Sequence, residues 1–294
     1  MTPGRLVFPS SEPTMRSAPH EPSKAPDGDQ YGKYFPANPA TLDLESNFGP
    51  MDPATIGYLQ PTPADAPLEV MEERCQRDGY LFLKGLLPVE PVLQCRAAYF
   101  SHMAPSGLLR PGSDPVSGTY SGANPRKYLR PGNLRRLFGL KNDPDSDRYV
   151  DLRASPPTSL TAWVPIGGVS LEGDGLMYLQ NSTDIGRQTE LDSTANVKNL
   201  TDEERISAFN KNMNDGGFLS RDTVRYGKEQ KRRWLIAEYE VGDVIFHNPY
   251  MVHASCKNKD PNNIIRLATD LRFVDPDKPY DERWMKVYRP LDGL

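Results

Sequence analysis

The second half of the chain is a series of short apolar runs broken by turn residues, and that pattern restricts what the chain can fold into. "TSLTAWVPI", "GLMYLQN", "WLIAEYEV", "DVIFH" and "IIRLATDLRFV" lie between Thr158 and Val274 and are rich in β-branched and aromatic residues. Turn sequences such as "LEGDG" separate them. Helical patterns fall mostly before this region. "LEVMEERCQRD", stopped at Gly79, predicts a helix, and "YLFLKGLL" predicts a strand that enters the core. "PVEPVLQCRAAYFSHMAPSG" predicts an amphipathic helix with Val92, Arg96, Tyr99 and Met103 on one face and Leu93 and Phe100 beside it. One helix is expected among the strands, from the Thr201–Glu204 capping box to Gly216-Gly217, with Ile206, Phe209 and Met213 turned inward. The expected class is α+β, on a β-sandwich or short barrel rather than a parallel sheet.

Residues 1–65 hold nearly half of the 29 prolines, mixed with Ser, Ala, Asp and Gly. Such a segment buries too little apolar surface to offset its conformational entropy, so a disordered tail is expected there, with a folded domain over 66–294. A formal charge of -4 and a pI near 5.7 provide no basic field for phosphates, which argues against nucleic acid as a partner. No apolar window approaches the roughly 18 residues that a membrane span needs, and the N-terminus has no apolar signal core, so a cytoplasmic protein is expected. Cys75, Cys95 and Cys256 are widely spaced without a CxxC pattern, which argues against both a disulfide framework and a zinc cluster.

The chemistry concentrates in "GDVIFHNPYMVHASCKNKDPNNIIRLATDLRF". His253 follows a strand pattern, and Arg266 stands thirteen positions later on another. Two readings fit. In one, His253 is an imidazole ligand of an Fe(II) and 2-oxoacid site, and the planar fork of Arg266 holds the far carboxylate of a dicarboxylate cosubstrate. In the other, both belong to an ordinary half-buried strand pair, with Arg266 paired to Asp270 and His253 a structural residue. His247 shares the face of His253 if the strand runs unbroken, but Pro249 lies between them.

"GDVIFHNPYMVHAS", "NIIRLATDLRF" and "PPTSLTAWVPIGGVSLEGDGLMYL" together resemble the phytanoyl-CoA dioxygenase family, Fe(II)- and 2-oxoglutarate-dependent oxygenases with a double-stranded β-helix (jelly-roll) core. The C-terminal "ATDLRFVDPDKPYDERWMKVYRPLDGL" is similar to fungal members that tailor secondary metabolites. The resemblance spans roughly residues 70–294. It implies that His253 is the distal iron ligand, that Arg266 holds the 2-oxoglutarate carboxylate and that Trp163 lines the cosubstrate pocket. It further implies oxidation of a small apolar metabolite by hydroxylation, desaturation or rearrangement. A tryptophan in a core strand is also an ordinary packing residue.

The sequence departs from the family at one point. The family carries an H-x-D pair shortly before the "PPTSLTAW" segment, whereas no histidine here is followed by Asp or Glu at the second position. Two of three expected iron ligands are therefore absent, and the core is expected to lack strands through an internal deletion near 149–154. Asp147, Asp151, His102 and His247 are the substitutes at hand. One imidazole does not retain iron alone. The alternative reading is an iron-free accessory or ligand-binding homologue, which offers an open sheet edge to a homo- or hetero-dimer partner.

Overall fold

A computed structural model describes residues 34–124, 158–195 and 219–278. Nine of its eleven strands form two sheets. The first sheet has the order β10 (His253–Ser255), β7 (Leu176–Leu179), β8 (Trp234–Ile236), β3 (Ile56–Tyr58). The second has the order β11 (Ala268–Phe273), β6 (Leu160–Pro165), β9 (Val244–His247), β5 (Tyr80–Lys84), β4 (Pro61–Pro63). From β6 to β11 the chain passes between the sheets in the order second, first, first, second, first, second. That course is the double winding of a jelly roll, of whose eight-strand pattern these six are among the described residues. Helices α1 (Leu68–Asp78), α2 (Val89–Met103), α3 (Thr183–Ala195) and α4 (Thr223–Gln230) flank it, which makes the protein α+β.

Alternation along the strands sets the core. Tyr178 and Leu176 of β7 face the second sheet and meet Phe82, Trp163 and Ile245. Met177 and Leu179 point the other way, into a second cluster with Leu44, Met51, Ile56 and Tyr58. This outer cluster corrects the boundary expected at residue 65. Residues from Tyr34 onward are built into the fold: β1 (Glu45–Ser46) and β2 (Gly49–Pro50) pair as a hairpin, while β3 and β4 add parallel strands to the two sheets. The prolines do not prevent this because β4 is an edge strand and others open short 3-10 turns after Asn38 and Asp52. Apolar residues spaced through the proline-rich stretch cover a sheet face that would otherwise be wet.

α1 ends where expected, with Gly79 at φ 79° and its amide bonded to the Cys75 carbonyl. α2 buries Val92, Arg96 and Phe100, whereas Tyr99, expected on the inner face, is exposed. The expected helix from Thr201 and the expected deletion near 149–154 lie outside the described residues. No described helix is long and apolar enough to cross a membrane.

Candidate functional site

The pattern "GDVIFHNPYMVH" is not one strand. β9 ends at His247, Asn248–Val252 turn a corner, and β10 begins at His253 in the opposite sheet. Pro249 accounts for the break, since it cannot donate to a ladder. The corner is pinned from several sides. The Val252 amide donates to Ser182 Oγ at 3.0 Å, Asn248 Nδ2 donates to Thr183 Oγ1 at 3.2 Å, and the Leu179 amide donates to the Val252 carbonyl at 2.9 Å. Gly79 packs beneath it: a Cβ there would lie 2.5 Å from Thr183 Oγ1 and 2.8 Å from Met251 Sδ. Because the chain changes sheet, two histidines six positions apart face each other across the interior, with ring centroids 5.2 Å apart. Both are buried.

Their hydrogen bonds distinguish them. Nδ1 of His253 lies 2.9 Å from the Met251 carbonyl, which only accepts. In the neutral ring the proton is therefore assigned to Nδ1, and Nε2 is the basic nitrogen, as metal ligation through Nε2 requires. Nδ1 of His247 lies 3.0 Å from the Tyr178 hydroxyl, which either donates or accepts. Burial, with Tyr239 and the Asp270 carboxylate adding to it, pushes the Tyr178 phenol well above its ordinary range, so this group stays protonated.

Strand register adds the remaining groups. Asp270 stands opposite Trp163, which stands opposite Ile245, and Thr161 stands opposite both Arg272 and His247. Cross-strand partners share a face, so Asp270 and Arg272 share the face of Trp163 and Thr161, while Leu271 and Phe273 lie on the other; Asp270, Leu271 and Phe273 are all exposed. Trp163 is buried against Tyr239, with ring centroids 4.8 Å apart. Beyond Tyr239 lies Arg266. A partner not considered on sequence grounds reaches it: Arg266 Nε is 3.8 Å from Oδ2 of buried Asp174. Asp174 belongs to the "LEGDG" turn and is held at φ 67°, which aims a carboxylate from the start of β7 toward the start of β11. The 3.8 Å separation is an ion pair rather than a hydrogen bond. The charge of Arg266 lowers the Tyr239 phenol, but burial outweighs it and leaves that group raised.

The interior thus has a histidine end, with His247, His253 and Tyr178, and an arginine end, with Arg266 and Asp174. Trp163 and Tyr239 lie between them. A facial iron site needs two imidazoles and one carboxylate in a fixed arrangement. Among the described residues no group of three or more His, Cys, Asp or Glu side chains is placed to hold a metal ion. The two histidines make an incomplete set, and the described residues do not fit iron. His102 lies on α2 and is exposed, unlike the buried pair, and Asp147 and Asp151 lie outside the described residues. Cys75, Cys95 and Cys256 form no disulfide with one another, and burial pushes Cys75 up to about 11.

Sequence reasoning missed Asp174 and the partnership of Tyr178 with His247. The Asp-Gly pair at a strand start was a visible cue for the first. Nothing in the sequence pointed to the second.

No family model and no curated protein matches the sequence. Solved structures do. The non-heme alpha ketoglutarate dependent carbocyclase SnoK from nogalamycin biosynthesis is 17% identical over 74% of this chain and 87% of its own, with a TM-score of 0.39. The epimerase SnoN from the same biosynthesis is 19% identical over 71% and 82%, with a TM-score of 0.35. SnoN in complex with Fe3+, alpha ketoglutarate and nogalamycin RO is 19% identical over 71% and 83%, with a TM-score of 0.37. Likenesses of this size leave the site to be read from its own geometry.

Proposed function

We propose that the chain is a protein of the non-heme iron and 2-oxoglutarate oxygenase superfamily, of the phytanoyl-CoA dioxygenase type, and that it serves the oxidation of a small apolar metabolite in secondary metabolism. The observation that carries this reading is that His253, at the start of β10, and Arg266, in the segment just before β11, both border one aromatic interior. In it, Arg266 receives the far carboxylate of 2-oxoglutarate, oriented by Asp174 on its Nε edge. Trp163 walls the space between the two ends, and His253 presents Nε2 at the metal position. Iron, when bound in proteins of this kind, supplies the oxidising chemistry. The described residues account for holding and orienting the cosubstrate and not for holding the metal. The reading includes a cytoplasmic protein whose partner is a small molecule, as a monomer or as a homo- or hetero-dimer.

A second reading is favoured by the incomplete ligand set: an iron-free homologue that binds a dicarboxylate and acts as an accessory subunit. One experiment separates the two. The full chain is titrated calorimetrically with 2-oxoglutarate, with and without Fe(II), and succinate release is then followed in air. Binding with succinate release supports the oxygenase. Binding without release, whether or not Fe(II) is present, supports the accessory homologue. Absence of binding under both conditions removes both.

A further inference from the structure

Arg96 is the most deeply buried arginine or lysine among the described residues, and it meets no carboxylate there. Its guanidinium instead donates to four main-chain carbonyls. Nε reaches Val116 at 2.7 Å, Nη1 reaches Ile166 at 2.8 Å, and Nη2 reaches Ser117 at 3.0 Å and Ile265 at 3.1 Å. The Phe100 ring lies under it, 4.8 Å from Cζ. Two glycines make room for it. A Cβ at Gly118 (φ 62°) would lie 2.4 Å from Nη2, and one at Gly167 (φ 124°) would lie 2.8 Å from Nη1.

Two of these carbonyls, those of Ile265 and Ile166, belong to segments bonded to the backbone on either side of Arg266. Ile265 precedes it directly, and the Ile265 amide donates to the Gly118 carbonyl at 2.9 Å. Leu267 follows it, and its carbonyl accepts from the Ile166 amide at 2.8 Å. Arg96 therefore ties the residue before Arg266 to the end of β6 and to the 116–118 turn, so that the backbone carrying Arg266 is held from both sides. We propose that Arg96 is a positioning residue for Arg266, which fixes the backbone from which the second arginine reaches the far carboxylate of a 2-oxodicarboxylate. The proposal rests on the 2-oxoglutarate reading of the site.

The test compares two ligands of equal chain length, 2-oxoglutarate and 2-oxopentanoate, of which only the first has a far carboxylate. Their dissociation constants are measured on the full chain for wild type, Arg96→Lys, Arg266→Met and the double variant. Lysine keeps the charge but lacks the planar fork needed for four divergent carbonyls. The expected result is a preference for 2-oxoglutarate that falls about tenfold in Arg96→Lys and disappears in Arg266→Met, with no further change in the double variant. Binding of 2-oxopentanoate should be unchanged. Equal loss for both acids, an intact preference, or additive effects in the double variant would overturn the proposal while leaving the 2-oxoglutarate reading in place. No preference in wild type would overturn both. If Arg96→Lys does not fold, Phe100→Leu, which removes only the ring beneath the guanidinium, should lower the preference in the same direction, and an unchanged preference there would overturn the proposal.

Discussion

At the scale of single residues, the two arginines of this protein do different work with the same group. Arg96 spends its donors on carbonyls in a dry setting, where burial lowers its proton affinity. Arg266 keeps 19% of its side chain exposed, and its Nε lies 3.8 Å from the Asp174 carboxylate. Arg96 thus has a structural role, and in the 2-oxoglutarate reading Arg266 is the arginine that meets the ligand. Arg266→Lys should weaken 2-oxoglutarate binding by roughly tenfold or more, because an ammonium cannot form the bidentate pair, and calorimetry on the two proteins checks this. Thermal stability should change little. A comparable melting shift instead would assign Arg266 to the structural role first weighed against the ligand reading.

At the scale of elements, the corner between β9 and β10 decides whether the histidines meet. It rests on Gly79, which combines a left-handed backbone with contacts that leave no space for a methyl group. Gly79→Ala should cost about 1–3 kcal/mol and lower the midpoint of thermal unfolding. It should also disturb the packing of Met251 between the two histidines. The N-terminal elements make a second case. Lys259 Nζ contacts Asp43 at 2.8 Å and Glu45 at 2.7 Å, and Lys257 Nζ contacts Glu45 at 2.6 Å, which ties the β1 segment to the loop after β10. Hydrogen bonds from Lys257 and Lys259 lower the Glu45 carboxyl from 4.5 to about 2. A depressed carboxylate contributes stability that is fully present above its unfolded value and is lost as pH falls through the folded one. The stability difference between wild type and Glu45→Gln should therefore shrink from about pH 4.5 downward and vanish near pH 2. Melting curves across that range measure it, and a constant difference would refute the assignment.

At the scale of the whole molecule, the outside of the first sheet of the jelly roll is covered by residues 44–58, part of the stretch that composition marks as a tail. Removal of residues 1–33 should leave the melting temperature within a degree or two, as for a segment too polar and proline-rich to bury a core. Removal through residue 63 strips β3 and β4 and takes Leu44, Met51, Ile56 and Tyr58 from the outer cluster. That truncation should yield an insoluble or molten protein, assessed by near-ultraviolet circular dichroism. A cooperatively folded product would show that the outer cluster is dispensable.

Strand identity was legible in the sequence because it is a local property. "LTAWVP", "VIFH" and "ATDLRF" carry the β-branched and aromatic residues and the alternation that make a strand wherever it is placed, and Gly79 marks a helix end without reference to anything distant. Of the residues set apart for chemistry, His253 and Arg266 were chosen on type and spacing, which are local, and Trp163 on the family resemblance alone. Partnership was not legible. That His247 faces His253 depends on a corner that moves the chain between sheets. That Asp174 reaches Arg266 depends on the turn before β7 and the segment before β11 lying close, and that a proline-rich stretch is folded depends on an apolar face more than a hundred residues away in sequence. Contacts between distant residues are settled by packing and by the satisfaction of buried polar groups. A periodic pattern states which face of a strand is apolar, and only the tertiary structure states what covers it.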